Sequence, residues 1–361
     1  MNRGFVPPPY PYDRLDEIIA IADAHSGGAV DLSIGTPCDS PPPAVLAALA
    51  ADVPARGYPP SIGTPAFRMA AAAWIARRLS ASVDPETEVA ACVGTKEFVA
   101  SLPQYLRLRD PSRDTVLYPA ISYPTYEMGA VLAGCRAVPY VDLDEISPDD
   151  AGRALCIWVN SPANPTGELH DLAAAAQWGR ERDVLVLSDE CYAEFTWREA
   201  PSTIVQHGTA GVVAVHSLSK RDNFAGARIG FYAGDAELIH YLREVRKHAG
   251  LMPSGPVQAA AVVALNDDVH VEEQRARYLH RLHRLREILS AAGYPADMPA
   301  GAFYLWVPAE DSWAAARDLA QRTGIVVSPG EFYGAAATSW FRVAAVQPDE
   351  RIELAGSRLA R

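Results

Sequence analysis

The segment HSLSKRDNFAGAR, residues 216–228, contains residue types that could bind a phosphorylated aldehyde. A lysine forms a Schiff base only as the free amine, so Lys220 would need surroundings that lower its pKa. Ser217, Ser219 and Arg228 could all reach a phosphate group on the same ligand. The S-x-S-K pattern is weak evidence by itself, because any loop can show it. Its significance depends on whether the rest of the chain supplies the other contacts.

Other segments offer the contacts that pyridoxal phosphate, an aldehyde of this kind, requires. Its ring nitrogen acts as an electron sink only when protonated, and Asp189 in LSDECY could face it as a carboxylate. Tyr192 and Asn164 could donate to the phenolic oxygen of the ring. In VGTKEFVASL, the amides of Thr95 and Lys96 begin a predicted helix, where anions bind. Taken singly, these residues could equally form a strand-end cap, a proline-bounded turn and a helix cap.

The elements around these residues predict an α/β fold. Short apolar runs alternate with helical patterns between about residues 43 and 250. The runs are VLYP from 116, ALCIWVN from 154, DVLVLSDE from 183, GVVAVHS from 211 and IGFYA from 229, and the helical patterns include PAFRMAAAAWIARRL and LAAAAQWGRERD. Several runs are apolar throughout, which is typical of a largely parallel sheet covered on both faces. Ligands bind beyond the carboxyl ends of such strands, where Asn160, Asp189 and Ser217 lie.

The length of 361 residues indicates a large domain and a smaller one. The proline-rich first twelve residues should form an extended arm. The last segment, with AFYLWVP, GIVVSPG and WFRVAAV, has the size of a small α+β domain. We therefore expect residues 1–33 to form the arm and part of the small domain, 34–265 the large cofactor-binding domain, and 266–361 the C-terminal small domain.

Composition excludes several classes of partner. The net charge of −12 argues against nucleic acid or an anionic membrane surface. The N-terminal segment has no apolar region of a signal peptide, and no apolar run is long enough to cross a bilayer. The five cysteines are scattered, as in a reduced cytoplasmic protein. His280 and His283 lie one turn apart in a predicted helix over 269–293, but without a third ligand at matching spacing a solvated helix face is favoured over a metal site.

The chain resembles the class I/II aminotransferases of pyridoxal phosphate fold type I over essentially its whole length. The resemblance is carried by DLSIGTPCDSPP, GYPPSIGTPAFR, VGTKEF, YPAISYPTYEMGA, NSPANPTG, SDECY, SLSK with Arg228, AGAFYLW and FRVA. Within that class it is most like the N-succinyldiaminopimelate aminotransferases of lysine biosynthesis, especially the compact actinobacterial type. That narrower likeness rests on PYPYDRLDEI, HSLSKRDNFAGARIGF and RKHAGLMPSGPVQAA.

The resemblance implies a role for each matching residue. Lys220 would form the Schiff base with pyridoxal phosphate and move a proton between the substrate α-carbon and C4′. Asp189 would pair with the pyridinium, while Asn164 and Tyr192 would hold the phenolic oxygen. Tyr123 would stack on the ring, and the phosphate would be bound by Thr95, Lys96, Ser217 and Arg228. Tyr58 would reach the phosphate of a neighbouring subunit. Arg342 and the backbone of Gly35 would bind the substrate α-carboxylate. The role of Tyr58 implies a homodimer with shared active sites.

The expected reaction is amino transfer between an amino acid and a 2-oxo acid, with N-succinyl-L,L-diaminopimelate and 2-oxoglutarate as the best substrate prediction. An elimination, replacement or carbon–carbon bond formation on the same scaffold is the alternative, because function depends on the site. A ligand-sensing regulator would need a basic DNA-binding module, which is not expected in this acidic chain. Arg56 and Arg221 could bind a second substrate carboxylate or be structural. Asp222 and Ala227 depart from the family pattern beside the cofactor loop.

Overall fold

A computed structural model describes residues 4–51 and 56–359. The helices are α1 (Asp16–Asp23), α2 (Pro43–Leu49), α3 (Pro65–Leu79), α4 (Thr95–Arg109), α5 (Thr125–Leu132), α6 (Pro148–Arg153), α7 (Leu172–Arg182), α8 (Leu218–Arg221), α9 (Ala236–His248), α10 (Gly255–Leu265), α11 (Val269–Ala291), α12 (Ser312–Thr323) and α13 (Asp349–Leu359). The strands are β1 (Val30–Asp31), β2 (Val89–Cys92), β3 (Thr115–Pro119), β4 (Arg136–Tyr140), β5 (Ala154–Asn160), β6 (Leu185–Asp189), β7 (Val212–Ser217), β8 (Gly230–Gly234), β9 (Tyr304–Pro308), β10 (Ile325–Val326), β11 (Ser328–Pro329) and β12 (Trp340–Ala344).

The central sheet has the order β2-β8-β7-β6-β5-β3-β4 within the described residues. Strands β4, β3, β5, β6 and β7 run parallel, and β8 lies antiparallel to both β7 and β2. The prediction of a largely parallel α/β sheet is therefore confirmed. The apolar run IGFYA forms β8, whose antiparallel direction was not evident from its composition, because a short apolar run carries no information about strand direction.

Helices cover both faces of this sheet. One face packs against α3, α7 and α10, and the other against α4, α5 and α9. Every residue of β5 is buried, as its unbroken apolar pattern predicts. Helix α3 matches its sequence prediction because Thr64 caps it by accepting a hydrogen bond from the Phe67 amide at 3.2 Å, and Pro65 occupies the first turn.

The second part of the fold is built on the three-stranded antiparallel sheet β11-β12-β9. Helices α11, α12 and α13 pack on it, and the short strand β1 joins this region by pairing with β10. The boundaries drawn after residues 33 and 265 stay a prediction. Residues 4–10 have no helix or strand, as expected of an arm. The prediction is wrong for Pro11 and Tyr12, which begin the 3-10 helix Pro11–Leu15, and residues 1–3 lie outside the described residues. In the described part of the chain, no helix is both long and apolar enough to cross a membrane.

Candidate active site

A cavity of about 400 Å³ lies beyond the carboxyl ends of β5, β6 and β7. The strand register places Asn160 beside Asp189, so the polar ends of neighbouring strands meet at one edge of the sheet. The residues that line the cavity include Tyr10, Tyr12, Ile34, Gly35, Thr36, Thr95, Lys96, Tyr123, Asn160, Asn164, Asp189, Cys191, Tyr192, Ser217, Ser219, Lys220, Arg228, Tyr304 and Arg342. All the predicted cofactor and substrate residues except Tyr58 are thus brought together, although their roles stay predictions.

Lys220 extends into this cavity from the short helix α8. Its Nζ donates a hydrogen bond to the carbonyl oxygen of Gly35 at 2.5 Å. Burial lowers the pKa of the Lys220 amine to about 8, and the positive charges of Arg342 and Arg228 act in the same direction. About a tenth of the amine is consequently unprotonated at pH 7, far more than for an ordinary lysine, and the free amine is the state that can attack an aldehyde.

Asp189, the last residue of β6, presents a buried carboxylate to the same cavity. Its Oδ2 accepts a hydrogen bond from the hydroxyl of Tyr126 at 2.8 Å, and its Oδ1 accepts one from the amide of Cys191 at 3.2 Å. Burial raises the pKa of this carboxyl group. A cationic ring nitrogen placed against it would compensate that burial and favour the ionised carboxylate.

The N-terminus of α4 and the loop after α8 bring groups that could bind an anion to one end of the cavity. The amides of Thr95 and Lys96 begin α4, and Ser217 and Arg228 line the same cavity. A Cβ atom at Gly94 would lie 2.3 Å from Nη2 of Arg228, so only glycine lets the guanidinium approach this turn. The ammonium group of Lys96 instead points to the arm, where it donates to the hydroxyl of Tyr10 at 3.2 Å.

Arg342 occupies the end of the cavity next to the small sheet. It is 2% exposed, and its Nη1 donates to Oδ1 of Asn164 at 2.7 Å. Its Nη2 donates to the carbonyl oxygen of Ser33 at 2.5 Å and to the hydroxyl of Tyr12 at 3.2 Å. The guanidinium also lies over the ring of Tyr304, 4.1 Å from its centroid. This buried fork is rigidly oriented, as bidentate carboxylate binding requires.

Aromatic hydroxyls complete the wall between Lys220 and Arg342. The hydroxyl groups of Tyr192 and Tyr304 share a hydrogen bond of 2.7 Å. A Cβ atom at Gly35 would lie 2.1 Å from the Tyr304 hydroxyl oxygen, which explains the glycine at this position. Tyr123 lines the cavity with its ring at 86° to that of Tyr126.

Three other predicted residues lie elsewhere. Tyr58 is 99% exposed and lines a separate groove with Arg56, so a role for either residue in the site of another subunit stays a prediction. The suggestion that Arg221 binds a substrate carboxylate is wrong. Arg221 is 4% exposed and pairs with Glu194 and Asp222 at 3.1 and 2.5 Å behind the cavity. The structural alternative for this residue is confirmed.

Sequence reasoning missed Tyr12, Tyr126 and Tyr304 as site residues. Tyr304 lies in AGAFYLW and Tyr126 in YPTYEMGA, two segments that carry the family resemblance. Their location in segments that resemble the family was the signal that could have identified them as site residues. The contact between Tyr126 and Asp189 joins residues 63 positions apart, and Tyr304 and Arg342 lie on different strands, so local patterns cannot reveal either contact.

The comparison with protein families decides between the possible interpretations of this geometry. Residues 28–359 match the family model described as aminotransferase class I and II. The chain belongs to this family. It is therefore a pyridoxal phosphate-dependent aminotransferase of fold type I. Of the two reaction types that the sequence left open, family membership supports amino transfer.

Individual relatives differ in the substrates that their names record. The 4-dedimethylamino-4-oxo-anhydrotetracycline transaminase of Streptomyces rimosus is 44% identical over 98% of this chain and 99% of its own length. The LL-diaminopimelate aminotransferase of Aquifex aeolicus is 35% identical, with coverage of 99% and 97%. The solved structure of N-succinyldiaminopimelate aminotransferase from Mycobacterium tuberculosis superposes with a TM-score of 0.86 at 26% identity, covering 98% of this aminotransferase and 97% of that chain.

The residues of the cavity fit pyridoxal phosphate. Lys220 offers an amine with a lowered pKa, Asp189 a buried carboxylate, and the end near Gly94 an arginine beside a helix N-terminus. When bound, the cofactor withdraws electrons from the substrate α-carbon. We propose that Asp189 holds the ring nitrogen, Thr95, Ser217, Ser219 and Arg228 the phosphate, and the Lys220 amine moves the proton of the substrate.

Replacing Arg342 with lysine is expected to lower kcat/KM for every amino donor by about 10–100-fold. A single ammonium group cannot reproduce the two-pronged contact with an α-carboxylate, although it keeps the charge. Steady-state kinetics with several donors measure the loss. Attachment of the cofactor to Lys220, monitored by absorbance, should persist. A loss confined to one donor would show that Arg342 binds a side chain instead of the shared α-carboxylate.

Proposed function

We propose that this aminotransferase moves the amino group of N-succinyl-L,L-diaminopimelate to 2-oxoglutarate. Both compounds carry one carboxylate beside the reacting carbon and at least one more at a distance. The proposal is supported by the likeness to the diaminopimelate aminotransferases and by the distribution of cations around the cavity. It places the enzyme in lysine biosynthesis.

The observation that carries the proposal is the position of two cations at different depths. Arg342 is buried at the inner end, whereas Lys96 is exposed at the cavity lining next to the arm. The ammonium of Lys96 lies 4.6 Å from the centroid of the Tyr10 ring. A substrate whose α-carboxylate contacts Arg342 could extend toward Lys96 with its distal carboxylate.

A polycyclic ketone is a second candidate for the amino acceptor. The tetracycline-related relative has a 4-oxo substrate according to its name, and it is 44% identical to this chain. Tyr10, Tyr12 and Tyr304 line the same cavity and offer aromatic surfaces against which flat rings can pack. In this alternative, Arg342 would bind only the α-carboxylate of the amino donor.

A panel of half-reactions distinguishes the two candidates. The loaded enzyme is mixed with N-succinyl-L,L-diaminopimelate, L,L-diaminopimelate or glutamate, and the cofactor absorbance is followed in a stopped-flow instrument. The proposal expects the succinylated donor to react with the highest kcat/KM and 2-oxoglutarate to reverse the change. If only glutamate reacts as donor and an aromatic polycyclic ketone reverses the change, the second candidate replaces the first.

Replacing Lys96 with glutamine should raise KM for the succinylated donor and for 2-oxoglutarate by about tenfold, because a charge-assisted contact to the distal carboxylate is lost. Alanine, which has no distal carboxylate, serves as the control donor, and its kinetic constants should change less than twofold. Cofactor occupancy should be unchanged, since the α4 amides are retained. Equal losses with both donors would contradict this role of Lys96.

We further propose a homodimer in the cytoplasm. The exposed Tyr58 and its groove support a subunit contact, and the scattered free cysteines support a reducing compartment. Analytical ultracentrifugation of the loaded enzyme tests the oligomeric state.

A further inference from the structure

A second layer of polar groups lies directly behind the cofactor-facing ends of β6 and β7. Asp189 and Ser217 line the cavity, whereas their chain neighbours Glu190 and His216 do not and instead line a separate small cavity behind it, which Ser217 also borders. Neighbouring residues of extended chain point to opposite faces, which explains the division. Glu190 and His216 are 1% and 2% exposed, and the amino-transfer chemistry described above uses neither.

The hydrogen bonds of this layer are incomplete. Oε1 of Glu190 accepts from the amide of Ile204 at 2.8 Å. Oε2 of Glu190 and both ring nitrogens of His216 have no hydrogen-bond partner among the described residues, although Oε2 and Nε2 are only 3.4 Å apart. The cavity beside them has a volume of about 10 Å³, room for at most one water molecule. The side-chain hydroxyls of Ser188 and Thr203 also approach the Glu190 carboxyl and have no other partner among the described residues, so Glu190 can form hydrogen bonds with His216 and with these two residues.

The surroundings offer no free counter-ion for an ionised Glu190. Arg221 lies across the small cavity, but it already pairs with Glu194 and Asp222. Asp189 precedes Glu190 and adds negative charge. The rings of Trp74 and Phe231 cover His216, with centroids 4.9 and 5.0 Å from its own. Cys191 completes the set of titratable groups on this cavity.

Both groups respond to this environment by favouring their uncharged forms. Burial raises the pKa of Glu190 to about 7, and the neighbouring Asp189 adds to that rise. Burial lowers the pKa of His216 to about 3. An uncharged carboxylic acid next to an uncharged imidazole is a matched donor and acceptor, whereas a buried ion pair would require both groups to lose their hydration.

We propose that Glu190 keeps its proton up to about neutral pH, donates it as a hydrogen bond from Oε2 to Nε2 of His216, and thereby positions Asp189 and Ser217. The contact ties the end of β6 to the end of β7, the two strands that present the ring-facing carboxylate and a phosphate-facing hydroxyl. Because Glu190 is neutral, Asp189 is the sole negative charge of this residue pair, and its affinity for the cationic ring nitrogen is not shared with a second carboxylate.

The replacement Glu190→Gln tests the proposal on the loaded enzyme. Glutamine can accept from the Ile204 amide and donate to His216, as the protonated acid does. Its kcat/KM should stay within threefold of the parent enzyme between pH 6 and 7, where Glu190 of the parent still holds its proton, and the pH midpoint of the cofactor absorbance should not move. A loss of more than tenfold, in a variant with unchanged melting temperature, would show that the negative charge of Glu190 is needed and would overturn the proposal.

Matched variants separate positioning from general packing. Glu190→Leu has similar size but no hydrogen-bonding group, so it should shift the pH midpoint of the cofactor absorbance and lower kcat more than tenfold. Glu194→Gln is the control, because Glu194 faces the guanidinium groups of Arg78 and Arg221 as an ion-pair partner. It should lower the melting temperature clearly, in contrast to Glu190→Gln. An unchanged absorbance midpoint and kcat in Glu190→Leu would contradict the positioning role.

Two measurements report on the proton itself. Infrared difference spectra between the parent enzyme and Glu190→Gln should show the C=O stretch of a protonated carboxylic acid at pH 6, weakening as the pH rises past about 7. Since the folded pKa lies above the ordinary value of 4.5, the unfolded chain releases this proton first, and the parent loses stability relative to Glu190→Gln as pH rises from about 4.5 to about 7. Absence of both the band and this pH-dependent difference in melting temperature would exclude a neutral Glu190.

Discussion

The variant Lys220→Ala is expected to bind pyridoxal phosphate without a covalent bond and to lose at least 10²–10⁴-fold in kcat, roughly the range that a positioned acid–base group supplies. Two functions disappear together, because the same amine attaches the cofactor and moves the substrate proton. The amine has a pKa lowered to about 8 and a fixed orientation toward the Gly35 carbonyl. No other lysine in the described part of the cavity lining is buried in this way, since Lys96 is exposed.

Borohydride reduction followed by mass spectrometry measures the covalent attachment directly. The parent chain should gain the mass of the reduced cofactor on the peptide that contains Lys220, and Lys220→Ala should gain nothing. Lys96→Ala is the control, because it removes the other cavity-lining lysine and should still be labelled at Lys220. Near-normal turnover by Lys220→Ala would refute the assignment of the active site.

The variant Asp189→Asn should retain the fold and the cofactor but lose about 10²–10³-fold in kcat, as expected when one preorganised electrostatic group is removed. Asparagine preserves the size of the side chain; its single oxygen can accept from the Cys191 amide while its NH2 group donates to the hydroxyl of Tyr126. It lacks the charge that keeps the ring nitrogen protonated, and electron withdrawal from the substrate is weakened accordingly.

Single-turnover kinetics with glutamate measure the chemical step of this variant, and cofactor absorbance measures its occupancy. Tyr126→Phe is the matched control, because it removes the 2.8 Å hydrogen bond to Asp189 and leaves the charge in place. Its loss in kcat should be clearly smaller than that of Asp189→Asn. Full activity in Asp189→Asn would move the role of ring-nitrogen partner to another residue.

The sequence predicted the elements of the large sheet well because their signals are local. The unbroken apolar pattern of ALCIWVN matches β5 over its whole length, and PAFRMAAAAWIARRL matches α3 from its capping threonine to Leu79. The polar residues at strand ends could be located for the same reason. Parallel strands bring their carboxyl ends to one edge, so Asn160, Asp189 and Ser217 had to lie near one another.

The features that the sequence did not reveal depend on contacts between distant segments. The hydrogen bond between Tyr192 and Tyr304 joins residues 112 positions apart. Arg221 follows the cofactor lysine directly, and its sequence position gave no sign that it would turn away from the cavity. Asp268, in the loop before α11, and Glu194, in the segment after β6, hold Arg221 in that position. Only the folded chain brings these residues together.

The cavity wall is formed partly by buried core residues and partly by the N-terminal arm, and this has a consequence for engineering. Tyr10 and Tyr12 line the cavity, yet residues 4–10 lie outside any helix or strand, and Phe5 and Val6 are 61% and 77% exposed. Substitutions in this segment alter a boundary of the substrate space without disturbing buried packing, so libraries of arm variants can explore new substrates at little cost in folding yield.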